Sequence, residues 1–128
     1  MQIVDRPIRV AVAGAGAMGM AWLRAIQSHP DCDLAGIVDI DQRRAIGAAI
    51  RIRRKDLPTA AAIEGLAAHV DVCVNVTPPD HHHEVIAAAL DAGLCVLTEK
   101  PFAATMAQAL ELTRLAAARD RLLMVAQT

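Results

Sequence analysis

The sequence predicts an α/β fold in which a mostly parallel sheet is covered by helices on both faces. Short apolar runs of strand length alternate with longer segments whose apolar residues recur at helical spacing. The clearest unit spans residues 8–39, where an apolar strand is followed by a glycine-rich turn, a helix and a second apolar strand. Strands that alternate with helices pair in parallel through right-handed crossovers, so we expect residues 1–128 to form one doubly wound domain.

The predicted strands are short and apolar along their whole length, as expected for strands buried on both faces of a parallel sheet. They span Ile8–Ala13 and residues 34–38, 70–76, 94–97 and 122–126. A further short strand at residues 50–53 is the alternative to a second helix that continues through them.

Helix ends are predicted from capping residues and from proline and glycine. The helices span residues 17–29 before Pro30, 42–53 after Asp41, 60–69 after Thr59, 81–92 between Asp80 and Gly93, and 106–119 after Thr105. Gly93 is expected in the left-handed conformation that ends a helix. For the last helix, Thr105 and Gln108 form a predicted capping box, in which each side chain bonds the other residue's backbone N–H.

Composition argues against several classes of function. The 128-residue chain carries a formal net charge of −1, no Tyr, one Trp and one Phe. The chain has neither an excess of basic residues nor enough aromatic side chains to stack on bases, so nucleic-acid binding is not expected. The three cysteines have no zinc-ligand or disulfide spacing, which indicates reduced thiols in a cytoplasmic protein, and no apolar run is long enough to cross a membrane. We therefore expect no metal, nucleic acid or membrane partner.

The turn Gly14-Ala15-Gly16-Ala17-Met18-Gly19 is the strongest functional signal in the chain. In such a turn, Gly14 permits the sharp exit from the strand, and Gly16 lets a pyrophosphate approach the backbone. Gly19 lets the helix pack closely against the strand. The free N–H groups of the helix then face the phosphates. Asp39 ends the second strand, where its carboxylate can accept hydrogen bonds from both hydroxyls of a ribose. The segment therefore predicts a dinucleotide site.

A second cluster, Thr77-Pro78-Pro79, follows the strand predicted at residues 70–76. Open parallel sheets bind ligands beyond the carboxyl ends of their strands, and the prolines stiffen this loop into an apolar ledge for a nucleotide. Three adjacent histidines, His81-His82-His83, come next. Neighbouring side chains on a helix point about 100° apart. The histidines therefore cannot converge on one metal ion, and we expect surface residues at a helix start.

The segment Glu99-Lys100-Pro101 lies just after another predicted strand, at the same edge of the sheet. A lysine held there can present its ammonium group to a substrate hydroxyl or carbonyl. It then stabilises a developing alkoxide or relays a proton. Taken alone, a Glu-Lys pair is more often a surface ion pair.

Together these motifs closely resemble the nucleotide-binding half of the glucose–fructose oxidoreductase, inositol dehydrogenase and MocA family. The resemblance covers essentially the whole chain, and its most specific carriers are Thr77-Pro78 with His82 and the segment Glu99-Lys100-Pro101. It implies a Rossmann-type fold that binds NAD(P). It also implies an oxidoreductase that transfers a hydride between the nicotinamide and a sugar, polyol or similar alcohol.

The resemblance implies roles for single residues. Lys100 matches the catalytic lysine near the nicotinamide and substrate, which often forms a cis bond to the following proline. The residues implied for cofactor binding are Gly14, Gly16, Ala17, Met18, Gly19, Asp39, Ile40, Arg43, Thr77, Pro78, Pro79, His82, Glu99 and Lys100. The charge of Asp39 favours NAD because a carboxylate repels the 2′-phosphate of NADP, whereas Arg43 and Arg44 leave NADP use open. Met18 and Trp22 are interpreted as packing residues.

Family members continue into a second α/β domain that supplies most substrate contacts and usually a catalytic histidine. We expect this chain to be the first domain of such a protein and to be poorly active alone. The complete protein could form a homo-oligomer. One alternative is a stand-alone module that senses a dinucleotide and signals through a partner. A methyltransferase that uses the same glycine turn fits less well, since it leaves Glu99-Lys100-Pro101 without a role.

Overall fold

The computed structural model describes residues 5–127. Its strands are β1 (Ile8–Ala13), β2 (Cys32–Val38), β3 (Thr59–Ala60), β4 (Val72–Asn75), β5 (Cys95–Glu99) and β6 (Leu123–Ala126). They form one parallel sheet in the order β3-β2-β1-β4-β5-β6. The α-helices are α1 (Ala17–Ser28), α2 (Gln42–Arg51), α3 (His82–Asp91) and α4 (Met106–Ala118). The predicted doubly wound, Rossmann-type α/β class is confirmed.

The sheet separates two apolar cores, so helices cover both of its faces. Along β1, Val10 and Val12 belong to the core that includes α1 and α2, whereas Ala11 and Ala13 belong to the core that includes α3 and α4. This alternation follows from the two-residue period of a strand. In the second core, burial raises the pKa of the Cys73 thiol to about 12. A thiol with so high a pKa stays protonated and unreactive.

The loops after β1 and β4 separate at the carboxyl edge of the sheet. From β1 the chain first passes to β2 and β3 on one side and then returns to β4 on the other. Neighbouring strands whose connections leave in opposite directions open a crevice at their carboxyl ends. The turns after β1, β2, β4 and β5 all meet at this edge, which is where the ligand motifs were predicted.

The region between α2 and β4 differs from the prediction. No strand forms at residues 50–53; α2 ends at Arg51, and the edge strand β3 uses Thr59–Ala60 instead. The N–H groups of β2 need acceptors on this side of the sheet. The backbone N–H of Asp39, just beyond β2, donates to the Ala60 carbonyl at 3.1 Å. Pairing with β2 therefore selects the position of β3, which local sequence patterns did not reveal.

The predicted helix at residues 60–69 is also wrong. The segment forms two short 3₁₀ turns, Ile63–Gly65 and Ala67–His69, and Thr59 lies in β3 rather than capping a helix. Ile63 and Leu66 are both buried in the core that includes α3 and α4. Side chains three residues apart eclipse in a 3₁₀ turn, so this short conformation places both in the core.

The capping predictions are confirmed in part. Asp41 accepts a hydrogen bond from the Arg43 N–H at 3.0 Å and begins α2, and Gly93 has the expected left-handed φ of +86°. Asp80 does not cap α3, because it lies inside the 3₁₀ turn Pro79–His81 and α3 begins without a side-chain cap.

The capping box of α4 is displaced by one residue. The Thr105 hydroxyl accepts from the Gln108 N–H at 3.1 Å, as predicted. The Gln108 side chain, however, accepts from the Ala104 N–H at 3.1 Å rather than from Thr105. The start of α4 is therefore fixed by both side chains, in a variant of the predicted pattern.

Candidate functional site

A cavity of about 580 Å³ opens at the carboxyl edge of the sheet, between the turns after β1, β2 and β4. Its walls are mainly apolar, with a few charged side chains. It is lined by Ala13, Gly14, Ala15, Val38, Asp39, Ile40, Asp41, Arg44, Ala61, Ala62, Ile63, Glu64, Thr77, Pro78, His81, Glu84, Val85 and Ala88. Concave apolar walls with a few placed polar groups are typical of small-molecule and cofactor sites.

The three glycines of the turn after β1 are required for different reasons. Gly14 has φ +110°, a conformation that other residues rarely adopt. A Cβ on Gly19 would lie 1.9 Å from the Gly14 carbonyl oxygen, so the helix and turn could not pack as they do. A Cβ on Gly16 would meet the end of the Arg44 side chain at 3.1 Å and no backbone. The fold therefore requires Gly14 and Gly19, whereas the space above Gly16 is available to a ligand.

The N-terminus of α1 is suited to an anion. Gly16 is the N-cap residue, no side chain caps the helix, and the first turn contains no acidic residue. The first N–H groups of a helix have no partners within it, and the helix dipole places partial positive charge there. Together with the open space above Gly16, these N–H groups form a cradle of the kind that holds a pyrophosphate.

Asp39 is held in place by backbone donors. One carboxylate oxygen accepts from the Ala15 N–H at 2.9 Å, and the other accepts from the Asp41 N–H at 2.8 Å. Each carboxylate oxygen can accept a further hydrogen bond, so two hydroxyl donors can still be accommodated. The arrangement aims a fixed negative charge at the cavity beside the glycine turn. This geometry fits the two hydroxyls of a ribose.

Arg44 is the arginine that lines the cavity, and the lining does not include Arg43. The Arg44 Nε lies 4.0 Å from an Asp39 oxygen, and another guanidinium nitrogen lies near Gly16. More than half of the side chain is exposed, so the guanidinium can move when a ligand arrives. Its charge can contact phosphate oxygens on either side of the ribose.

The opposite wall of the cavity is fixed by a buried amide. The Asn75 side-chain oxygen accepts from the Thr77 N–H at 3.2 Å and from the Thr77 hydroxyl at 2.6 Å. These bonds form a local turn that sets the direction of the loop, and Pro78 then continues the cavity wall. Thr77 and Pro78 therefore form part of the cavity wall, and their role as a ledge for a nucleotide stays a prediction.

Glu99 ends β5 and Lys100 follows it, and neither residue lines the cavity. The Trp22 indole N–H donates to the Glu99 carboxylate at 3.1 Å, which connects α1 to the end of β5. The Lys100 side chain is exposed, and the Lys100–Pro101 peptide bond is cis, as the resemblance implied. An exposed ammonium at this edge is free to meet a substrate.

His82 is buried, which corrects the expectation that all three histidines are surface residues. Its side chain is 1% exposed, and its two ring nitrogens lie 2.6 Å from the Pro101 carbonyl oxygen and 2.7 Å from the Thr77 carbonyl oxygen. Both nitrogens are thus occupied by backbone. Among residues 5–127, no three His, Cys, Asp or Glu side chains are arranged to hold a metal ion.

The structure brings some of the candidate cofactor residues to the cavity and leaves others around it. The lining includes Gly14, Asp39, Ile40, Thr77 and Pro78. The candidates outside the lining are Gly16, Ala17, Met18, Gly19, Arg43, Pro79, His82, Glu99 and Lys100. Met18 is 50% exposed, so its interpretation as a packing residue is wrong, whereas the partly buried Trp22 packs against the core.

Sequence reasoning missed the wall formed by residues 61–64 and by Glu84 and Val85. The first stretch was assigned to a helix, and its position beside Asp39 depends on the pairing of β3 with β2. The second pair lies on α3 behind the proline loop. The apolar residues of this segment, from Val85 to Leu90, recur at helical spacing and predicted a helix, but not which of its residues face the cavity.

This fold and this cleft define a class of protein, the Rossmann-type nucleotide-binding domain. Residues 8–127 match the family model described as "Oxidoreductase family, NAD-binding Rossmann fold". The chain belongs to this family, the glucose–fructose oxidoreductase, inositol dehydrogenase and MocA family, and it is an NAD-binding oxidoreductase domain. In the described part of the chain, no helix has the length and apolar character needed to cross a membrane.

Known relatives support the same assignment. The chain is 32% identical over 124 residues to the inositol 2-dehydrogenase of Corynebacterium glutamicum, covering 92% of this chain and 35% of that protein. It is 34% identical over 95 residues to the UDP-N-acetylglucosamine 3-dehydrogenase of Acidithiobacillus ferrooxidans, covering 74% and 29%. The crystal structure of GenD2 from gentamicin A biosynthesis in complex with NAD superposes with a TM-score of 0.87, 28% identity, and coverage of 98% and 36%. The chain spans about a third of the length of these proteins.

Proposed function

We propose that this chain forms the cofactor-binding part of a dehydrogenase that acts on a ring alcohol of a cyclitol or sugar. The observation that carries the proposal is the cleft itself. The space above Gly16, bordered only by the movable end of Arg44, lies along one edge of the sheet with a carboxylate fixed at Asp39 and a lysine at Lys100. Relatives named as inositol and UDP-sugar dehydrogenases support the substrate class.

In this proposal, the residues of the chain divide the work between binding and proton transfer. The helix start at Gly16 holds the pyrophosphate, and Asp39 accepts the adenosine ribose hydroxyls. A nicotinamide dinucleotide, when bound, supplies the hydride donor or acceptor. Lys100 holds the substrate oxygen, and its ammonium stabilises negative charge or passes a proton there as the oxygen changes between hydroxyl and carbonyl.

Asp39 supports NAD as the preferred cofactor, because its charge opposes a 2′-phosphate at the ribose. Arg44 lies close enough to Asp39 to offset part of that repulsion, so NADP is the second ligand to test. Titration calorimetry of the chain with NADH and NADPH is the direct experiment. Asp39→Ala should weaken NADH binding about tenfold through lost hydrogen bonds to a charged group, and it should narrow the preference for NADH over NADPH.

Asp33→Ala is a suitable control, because Asp33 is exposed on the same strand, away from its carboxyl end. Circular dichroism would verify that both variants fold. Failure of the unmodified chain to bind either nucleotide would contradict the proposed function. Unchanged preference in Asp39→Ala would contradict the ribose role alone.

The catalytic role of Lys100 requires a substrate site, and we propose that a second domain provides it in a longer protein. The relatives are about three times as long, which supports this proposal. In that protein, Lys100→Met should lower kcat at least about a hundredfold, far more than it changes NADH affinity, because proton transfer and charge stabilisation are lost. Near-normal kcat would exclude the catalytic role. A cytoplasmic location and a homo-oligomer remain proposals for the same protein.

A further inference from the structure

Three buried polar side chains, Asn75, His82 and Thr98, lie together beneath the loops that follow β4 and β5. They are the buried polar side chains among residues 5–127, and each is at most 1% exposed. Burying a polar group is costly unless it is hydrogen-bonded. Their shared position at the edge that holds the cofactor, rather than elsewhere in the core, indicates a local purpose.

The first part of the cluster connects the ends of the two strands. The Asn75 amide donates to the Thr98 hydroxyl at 3.0 Å, while its oxygen accepts from Thr77. The Thr98 hydroxyl donates in turn to the Glu99 carbonyl at 3.1 Å. The backbone at Thr77 and the backbone at Glu99 are thus joined through two side chains.

The second part connects the same two loops farther along the chain. His82 reaches the Thr77 carbonyl with one ring nitrogen and the Pro101 carbonyl with the other. A neutral imidazole carries one N–H and can donate to one of them, whereas the imidazolium form donates to both. In either form the ring fills the space between the loops, and its position relates Thr77 to Pro101.

We propose that Asn75, His82 and Thr98 are positioning residues that fix the Thr77 loop and the Glu99–Pro101 segment as one rigid unit. This inference rests on the proposed function, in which Lys100 meets the substrate oxygen. The Glu99–Pro101 end of the unit then borders the nicotinamide, which exchanges a hydride with the substrate carbon. The adenosine half is held by Asp39 and the glycine turn, and the Thr77 end of the unit lines the same cavity as Asp39. Loss of the cluster should therefore weaken binding of the nicotinamide half more than binding of the adenosine half.

Comparison of NADH with ADP-ribose tests this separation, because ADP-ribose lacks the nicotinamide. Calorimetry on the chain would give the ratio of the two dissociation constants for the wild type, His82→Gln and Thr98→Val. We expect NADH binding to weaken roughly five- to tenfold in both variants, the effect of losing about one hydrogen bond. ADP-ribose binding should weaken by no more than about twofold, since Asp39 and the glycine turn still hold it and it has no nicotinamide to meet the Glu99–Pro101 segment.

Two matched variants serve as controls. His83→Gln alters the neighbouring histidine, which is partly exposed beside Glu111, and should leave both affinities unchanged. Thr98→Ser keeps the hydroxyl and should restore the wild-type ratio, even where it lowers stability. A merely structural role would reduce the folded fraction and would affect both ligands equally.

The outcomes separate the two hypotheses. If the wild-type chain binds neither ligand, the proposed function fails, and this inference fails with it. If it binds both equally well, or if the variants weaken both to the same extent, the positioning role is wrong while the proposed function stands. A selective loss of NADH affinity in Thr98→Val, restored in Thr98→Ser, would support the positioning role even if His82→Gln did not fold.

Discussion

Gly16 and Gly19 are three residues apart in the same turn, yet substitution should affect them in opposite ways. A methyl group at position 16 meets the movable end of Arg44, so Gly16→Ala should change stability by no more than about 0.5 kcal/mol. Dinucleotide affinity should fall about tenfold or more, because the methyl group takes space required by a phosphate oxygen. Urea unfolding and calorimetry together measure both effects.

Gly19→Ala is the matched comparison at the residue scale. Its Cβ would overlap the Gly14 carbonyl oxygen, so helix α1 must move, and we expect a loss of about 3 kcal/mol or more in the free energy of unfolding. Similar destabilisation by both substitutions would show that Gly16 is also required by the fold. That result would contradict the inference that the space above Gly16 is occupied by a ligand.

At the scale of secondary-structure elements, Asp71 joins the start of β4 to the start of β1. Its carboxylate accepts from the Arg6 guanidinium at 2.7 Å and from the Arg9 backbone N–H at 2.9 Å. Hydrogen bonds from Arg6, and then from Arg9, hold the pKa of Asp71 well below its usual value. A depressed pKa in the folded state means that this contribution is present above the unfolded pKa of about 4 and is lost as pH falls toward the folded pKa.

Asp71→Asn should therefore lower the free energy of unfolding by about 1 to 2 kcal/mol at neutral pH, through loss of charged hydrogen bonds. The difference from the wild type should shrink as the pH is lowered below 4 or so, where the unfolded carboxyl becomes protonated. Urea unfolding across this pH range measures the difference in the free energy of unfolding.

Asp91→Asn is the control. It breaks an exposed ion pair with Arg119 and should lower the free energy of unfolding by no more than about 0.5 kcal/mol. If the stability difference between the wild type and Asp71→Asn did not change with pH, the ionised Asp71 carboxylate would not be its cause.

Element by element, the sequence predicted what depends on local pattern and missed what depends on pairing. The apolar runs and the caps at Asp41 and Gly93 are local signals, and they placed most strands and helices to within a few residues. The edge strand β3 depends on free N–H groups of β2, which no local pattern displays. The burial of His82 likewise depends on Thr77 and Pro101, which are brought together by the pairing of β4 with β5.

The same distinction explains the candidate site. Gly14 and Asp39 directly follow β1 and β2, and Thr77 lies two residues beyond β4, so the common edge of a parallel sheet brings all three to the cavity. Arg43 and Arg44 are adjacent on α2, and Arg43 was predicted to bind the cofactor although no local pattern distinguishes the two. The orientation of α2 on the sheet decides that Arg44 lines the cavity.

At the scale of the whole molecule, helix cover is uneven across the sheet. Leu123 of the edge strand β6 packs toward the core that includes α3 and α4, so Leu122 and Met124 point to the opposite face. Both are nearly half exposed, at 45% and 46%. On that face, the core that includes α1 and α2 covers β1, β2 and β4 and reaches β5 at Leu97, and it contains no described residue of β6. Apolar side chains beside an unpaired strand edge favour contact between chains.

This exposure predicts that the chain associates with itself as concentration rises. The double variant Leu122→Lys and Met124→Lys should weaken association roughly tenfold or more, because two partly exposed apolar side chains no longer gain from burial. The melting temperature should stay nearly unchanged, since neither side chain belongs to the core. Sedimentation velocity over a range of concentrations measures the effect. Met106→Lys, an exposed position on α4, is the control, and a larger effect there would place the contact on α4 rather than on the uncovered sheet face.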